Sequence, residues 1–351
     1  MNKTLSAKLI GRIRNLKMKV ESYLHLKGIP IDDCRDEIES QLKLSVSSKV
    51  FQFPLPKNIH YATVKDRPRN SGLTSVGFIN STHVICCDFN EKTSYYSEII
   101  GEKLNILDSH PTITSDGMPV QTDLIDVRKN EFVVSNFYQG SVSHYEVIDH
   151  KIKFIREINH NSFKNLHGVR FIPNYDSLLW LAYCGGNNKC HQIYDMKKNK
   201  VIHEFSTDQQ CQDISFVGKY AVVFARTDHI AKGNVKLTKN SPKNTMFATA
   251  YIYELPKNIY EAPPIIKRIW KGNGHIDSTK AGPNGCIYAA NQYLDRVDVL
   301  KVDQSGIMSL IQTIDGYELP HGLDIKGKEL AVTCYQDSTL RVAELTPSNL
   351  I

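Results

Sequence analysis

The sequence predicts an all-β protein, a six-bladed β-propeller preceded by a short helical segment. Three observations predict it. Helical periodicity ends near residue 45. Short β-branched and aromatic runs alternate with turn residues from there to the C-terminus. Similar segments then start at residues 74, 122, 167, 212, 275 and 321, spaced 45–48 apart except for one interval of 63. That is the period of a four-stranded propeller blade, with one insertion. A degenerate seventh blade is the structural alternative.

The first 45 residues read as a separate helical extension. Leu5, Leu9, Ile13, Leu16, Val20 and Leu24 recur every three or four positions, an amphipathic stripe over residues 4–26. Gly28 and Pro30 break it, and Asp32-Asp33 can cap a second short helix running to about Leu44. Residues 1–27 carry seven Lys and Arg against Glu21 alone, which is the whole of the chain's net charge of +6. The remainder is formally neutral, so a nucleic-acid surface spread over the body is not expected. The stripe is aliphatic with few aromatics. It suits packing on the ring or on a second subunit, making a homo-oligomer, better than contact with an anionic membrane surface. No run approaches the ~18 apolar residues of a membrane-spanning helix, and no secretory signal is evident.

Residues 46–351 read as the propeller. Its clearest repeats are Leu166-His167-Gly168-Val169-Arg170-Phe171 and Pro320-His321-Gly322-Leu323-Asp324-Ile325, each followed by a turn and an apolar strand. Fourth strands are expected at residues 153–158, 201–205, 265–270 and 307–314. The last repeat has no room for its own, so residues 49–54 are expected to supply it and close the ring. Eight scattered cysteines, several in apolar runs, point to a reducing, cytoplasmic compartment. Cys184 and Cys190 bracket a Gly-Gly-Asn-Asn-Lys turn. They read as reduced thiols rather than half of a zinc site, whose second half is missing.

Phe132-Val-Val-Ser-Asn-Phe-Tyr-Gln-Gly-Ser-Val-Ser-His-Tyr-Glu-Val and Ile287-Tyr-Ala-Ala-Asn-Gln-Tyr-Leu-Asp-Arg-Val-Asp-Val-Leu resemble the YVTN repeat of lactonase-like β-propellers. The resemblance covers roughly residues 50–345 and is architectural. It implies a group containing sugar lactonases, lyases and proteins that only bind. No glutamate–asparagine–asparagine–aspartate set matching the calcium site of gluconolactonase-type relatives can be placed.

A propeller's innermost strands begin around its channel, and the loops after the second strands open on the same face. The expected inner starts are Thr74, Thr122, His167, Gln212, His275 and His321; the second strands end at Asp88, Asn136, Cys184, Arg226, Asn291 and Tyr335. Three histidines at equivalent positions can bind a divalent metal such as zinc or transfer protons. His167, His275 and His321 are therefore the expected catalytic and metal-ligating residues. Asn136, Arg226, Asn291, Tyr335 and Gln212 are the expected substrate contacts. His144, His160, His191 and His203 lack that convergence and read as surface or turn residues. Residues 226–246 carry five basic residues against Asp228 and form a candidate lid favouring an anionic ligand. The expected function is binding, with hydrolysis or elimination, of a small anionic, sugar-derived metabolite at the channel mouth. As an enzyme it would be a lactonase- or esterase-like hydrolase, or a lyase. The alternative is a noncatalytic platform that recruits a protein or glycan.

Overall fold

The computed structural model describes residues 43–45, 48–52, 72–185, 189–226, 247–283 and 285–345. Two short strands, β1 (Lys43–Ser45) and β2 (Ser48–Gln52), precede the blades. Blade one holds β3 (Leu73–Phe78), β4 (His83–Asp88), β5 (Thr93–Ile100) and β6 (Lys103–Pro111). Blade two holds β7 (Thr122–Arg128), β8 (Glu131–Asn136), β9 (Ser141–Ile148) and β10 (Lys151–Asn159). Blade three holds β11 (Leu166–Phe171), β12 (Leu178–Tyr183), β13 (Cys190–Asp195) and β14 (Lys200–Ser206). Blade four holds β15 (Gln210–Val217), β16 (Tyr220–Arg226), β17 (Phe247–Glu254) and β18 (Ile265–Asn273). Blade five holds β19 (Ile276–Ala281), β20 (Cys286–Asn291), β21 (Arg296–Val302) and β22 (Met308–Asp315). Blade six holds β23 (Pro320–Lys326), β24 (Glu329–Cys334) and β25 (Thr339–Glu344). The protein is thus an all-β propeller of six blades, and no seventh sheet exists among the described residues.

Blade six takes its outer strand from the other end of the chain. β2 pairs antiparallel with β25, Ser48 opposite Ala343 and Gln52 opposite Thr339. β1 then adds a fifth, parallel strand to blade five, Lys43 opposite Thr313. Lys43–Ser45 is therefore strand, where a short helix running to about Leu44 was expected; the sheet edge offered by β22 outweighs local helical preference. The rest of that helix, the basic stripe of residues 4–26 and the candidate lid lie outside the described residues. Among the described residues, no helix is long and apolar enough to cross a membrane.

Six apolar clusters bind the blades pairwise. The one between blades three and four contains Trp180, Ile193, Ile214, Val223 and Tyr251. The one between blades six and one contains Phe51, Leu73, Val76, Leu340 and Val342, so it seals the ring where the chain's ends meet. Because neighbours cover both faces of a blade, β12 (LLWLAY) is buried at every position and carries no polar alternation. His191 belongs to this core rather than to a turn. It is fully buried, with Trp180 Nε1–H donating to its Nδ1 at 2.9 Å and its Nε2 2.9 Å from the Tyr253 hydroxyl. His144 is also buried, its Nε2 2.8 Å from Glu131 Oε2. Both rings fill interior gaps on strands whose two faces are covered, which the sequence pattern does not reveal. The seven described cysteines, Cys184 and Cys190 among them, are not joined in disulfides.

Candidate functional site

Every inner strand begins with a β-bulge. The register slips between Leu73 and Ser75, Thr122 and Ile125, Leu166 and Gly168, Cys211 and Asp213, Ile276 and Thr279, and Pro320 and Leu323. A bulged residue leaves the ladder and is re-aimed, here toward the channel. The carbonyl two residues before each bulge fixes the alignment. Those of Gly72, Gln121, Asn165, His275 and Leu319 each accept the N–H that follows the second strand. The equivalent bulged residues are therefore Thr74, Asp123, His167, Gln212, Asp277 and His321.

This corrects the expected register in two blades. His167 and His321 are equivalent, but His275 is not: Asp277 holds that position in blade five, and His275 lies two residues earlier. In blade two the position belongs to Asp123 rather than Thr122. The pattern was available in the sequence. Small residues follow the bulge in Thr74-Ser75, His167-Gly168, Asp277-Ser278 and His321-Gly322. Aligning on histidine instead of on the small residue hid both carboxylates.

The glycines have a physical cause. A Cβ on Gly168 would lie 2.6 Å from the Gln212 carbonyl oxygen, and one on Gly322 would lie 2.4 Å from that of Thr74. Those carbonyls are the ones the two rings use. His167 Nδ1 lies 2.9 Å from Gln212 O, and His321 Nδ1 lies 2.6 Å from Thr74 O. A carbonyl only accepts, so both Nδ1 atoms carry their proton. Each Nε2 is left facing the channel axis.

There it meets carboxylates. His167 Nε2 is 3.4 Å from Asp123 Oδ2 and 3.6 Å from Asp277 Oδ1. His321 Nε2 is 3.4 Å from Asp123 Oδ1 and 2.5 Å from Asp277 Oδ2. His275 joins from above, its Nε2 3.1 Å from Asp277 Oδ1 and from Gln212 Nε2. All six residues are 2–7% exposed. Burial works against the His167 imidazolium, but the Asp123 charge and the Asp277 contact outweigh it and raise it to about 9. Burial would raise Asp277, yet His321, His167 and His275 together hold it well below the usual carboxylate range. Asp123, His167 and His321 bring one ligand atom each within 4.8 Å of one another, a spacing one metal ion can span.

A second ring lies beneath the first. Arg170 grips Asp213 through Nε at 3.0 Å and Nη2 at 2.5 Å, and reaches the Ile125 and Thr279 carbonyls at 2.8 Å each. It thereby ties blade three to blades two, four and five. Lys280 pairs with Asp126 at 2.5 Å and with Asp324 at 3.4 Å. Burial would raise Asp126, but Lys280 and Arg170 reverse it and lower it. The two rings hold Asp123, Asp126, Asp213, Asp277 and Asp324 against Arg170 and Lys280, so with neutral imidazoles carboxylates exceed fixed cations by three charges.

An aromatic rim stands over the upper ring. Tyr335 lies on His321 with centroids 4.2 Å apart, Tyr293 meets His275 edge-on at 5.2 Å, and Phe137 meets His167 edge-on at 6.2 Å. Of the expected substrate contacts, Gln212 and Tyr335 border the upper ring. Asn136 Nδ2 donates to Ser141 Oγ and Ser143 Oγ at 2.8 and 2.9 Å, within its own blade. Asn291 is likewise engaged, donating to Asp298 Oδ2 at 2.7 Å and accepting the His275 N–H at 3.1 Å. The Arg226 side chain lies outside the description.

No family model matches this chain, and no curated protein matches it. Among solved structures, a hydrazine synthase from Kuenenia stuttgartiensis is similar with a TM-score of 0.58 and 12% identity, over 84% of this chain and 100% of that chain. A functionally unknown protein from Desulfotomaculum acetoxidans gives 0.52 and 12%, over 77% of each chain. U3-55K gives 0.51 and 7%, over 80% of this chain and 97% of that one. At such identities the likeness is one of fold.

Proposed function

We propose that the histidine-bearing mouth of the channel binds a divalent metal ion and, through it, a small anionic, sugar-derived metabolite. One observation carries this reading. With Nδ1–H committed to a carbonyl in both His167 and His321, a neutral ring points its Nε2 lone pair at two carboxylates. That arrangement needs a positive charge between them, supplied by a proton on each ring or by a metal ion. The carboxylate excess of the channel favours the doubly charged ion, and a second-layer carbonyl on Nδ1 is the usual support of a ligating imidazole. The same excess repels an anion, so the metabolite would reach the site on the metal.

In this reading His167 and His321 are ligands, His275 is the proton-transfer group, and Gln212 and Tyr335 orient the metabolite under the aromatic rim. A bound divalent ion would polarise a lactone or ester carbonyl, or acidify water for attack on it. That equips the site for hydrolase chemistry, or for a lyase step that removes a proton beside a carboxylate. The YVTN-like repeats agree with a lactonase-like group, and cysteines held as thiols agree with a cytoplasmic setting. In this reading residues 46–351 act as one unit, separate from a basic extension over residues 1–45 that would contact a second subunit.

One observation favours the competing reading, a noncatalytic platform for a protein or glycan. The upper ring is nearly closed to solvent, and two imidazolium–carboxylate pairs would complete it without metal. Elemental analysis of the purified full chain, with calorimetric titration of sugar lactones and aldonates before and after chelation, separates the two. Bound metal and chelator-sensitive affinity support the metal-dependent site; metal-free protein with no affinity for either ligand supports the platform.

A further inference from the structure

Resting on the cation reading above, we infer that Ser135 and Thr333 are positioning residues of the metal site, their buried hydroxyls setting where Asp123, His167 and His321 stand. The two residues are equivalent. Each precedes the residue that faces the inner strand just ahead of the bulge, Asn136 opposite Thr122 and Cys334 opposite Pro320. Cys87, Ala182, Phe224 and Ala290 hold that place in the other blades, so blades two and six alone carry a hydroxyl there.

Each hydroxyl holds the backbone just after a candidate ligand. Ser135 Oγ accepts the N–H of Leu124, the residue after Asp123, at 2.9 Å and lies 3.2 Å from the Leu124 carbonyl oxygen. Thr333 Oγ1 accepts the N–H of Gly322, the residue after His321, at 2.9 Å and lies 3.2 Å from the Gly322 carbonyl oxygen. Neither Leu124 nor Gly322 has a ladder partner on its second strand, so the hydroxyl stands in for one.

The third contact of each hydroxyl crosses to the next blade. Ser135 Oγ lies 2.5 Å from the carbonyl oxygen of His167. Thr333 Oγ1 lies 3.1 Å from the carbonyl oxygen of Thr74, the same oxygen that holds the His321 Nδ1–H at 2.6 Å. A hydroxyl has one proton to donate, and in both cases the carbonyl of the next blade is the nearer acceptor. Ser135 therefore ties the backbone beside Asp123 to that of His167, and Thr333 ties the backbone beside His321 to the carbonyl that orients its ring. These are the three residues whose ligand atoms lie within 4.8 Å of one another. Ser135 and Thr333 are fully buried, so the bonds are not shared with solvent. Without the hydroxyl, the N–H after the ligand residue loses its acceptor, and that peptide is free to turn and carry the ligand side chain with it.

The test is zinc(II) titration of the metal-stripped full chain, in competition with a chromophoric chelator. Ser135→Ala and Thr333→Val should each weaken zinc by about 10–100-fold, the usual cost of losing an outer support of a metal site. Ser135→Thr and Thr333→Ser, which exchange the two natural hydroxyls, should keep the parent's affinity. Circular dichroism melting checks that every sample is folded at the titration temperature; a merely structural role would lower the melting temperature and leave the affinity unmoved. Should Thr333→Val not fold, Ser135→Ala, which removes a single oxygen, decides. Equal affinity in the parent and the two variants lacking the hydroxyl, or an equal loss in the exchanged pair, would overturn the positioning role. Should the parent itself bind no zinc, the cation reading falls, and the nuclear magnetic resonance signal of the His321 Nδ1–H proton decides the role on its own. A shift in Thr333→Val that Thr333→Ser lacks would support it, and an unmoved signal would overturn it.

Discussion

His167 faces His321 across the channel, the two ring centroids 6.0 Å apart and each Nδ1 bonded to the inner strand of the next blade. Three blades separate them, and the same separation relates Asp123 to Asp277 and Thr74 to Gln212. The inner ring therefore has a twofold pattern that six blades alone do not require. Each histidine also stitches a blade to its neighbour, so the groups of the site are structural members of the ring.

The glycines beside them are the first point of attack. Gly168→Ala and Gly322→Ala would push a methyl against backbone that cannot yield cheaply, 2.6 and 2.4 Å from carbonyl oxygens. Each should destabilise the ring by about 1–3 kcal/mol, the usual range for overpacking. Each should also lengthen the Nδ1 bond and weaken metal binding. Urea unfolding and metal titration of the same samples check both effects; full stability in either variant would contradict the close approach.

Arg170 is the most heavily committed buried charge. Arg170→Met removes the partner of Asp213 and one partner of Asp126, leaving buried carboxylates uncompensated. The expected cost is about 3–5 kcal/mol. A variant as stable as the parent in denaturant titration would show that the lower ring is not held by this guanidinium.

His191 predicts acid sensitivity. Burial lowers its folded value to about 3, below the usual imidazole value of about 6.5. A depressed folded value means that stability is complete above about 6.5 and is lost as the pH falls toward 3, because only the unfolded chain takes up the proton readily. The melting temperature should fall across that window. His191→Gln, measured over the same pH series, should show a shallower fall; an identical slope would assign the acid loss elsewhere.

Closure of the ring makes a fourth prediction. β2 completes blade six, and Phe51 sits in the cluster that joins it to blade one. Removing residues 1–56 should lower the melting temperature of the whole ring, whereas removing residues 1–40 should leave it near that of the intact chain. Equal melting of all three would show that the pairing contributes little.

The blades were legible in the sequence because each repeats apolar strands at a nearly constant period. The His-Gly pairs at His167 and His321 were legible for a stricter reason: glycine there is demanded by the neighbouring carbonyl. Asp123 and Asp277 escaped notice because a bulge lets a repeat shift by one or two residues without disturbing its apolar pattern. His275 was promoted by the same shift. Asn136 and Asn291 mark strand ends as expected, but their amide nitrogens donate to Ser141 and Ser143 and to Asp298 and the Asn273 carbonyl. Polar type and position do not reveal that. The burial of His191 was hidden for the opposite cause: blades covered on both faces lose the polar alternation that would show which way a side chain points.

The measurement that bears most directly on the central claim is anomalous X-ray scattering from crystals of the full chain supplied with zinc(II) or another divalent transition-metal ion. A single peak on the channel axis, about 2.0–2.2 Å from the Nε2 atoms of His167 and His321 and from an oxygen of Asp123 or Asp277, is the predicted result. Rings that bond directly to those carboxylates in the metal-soaked crystal, with no peak between them, would contradict it.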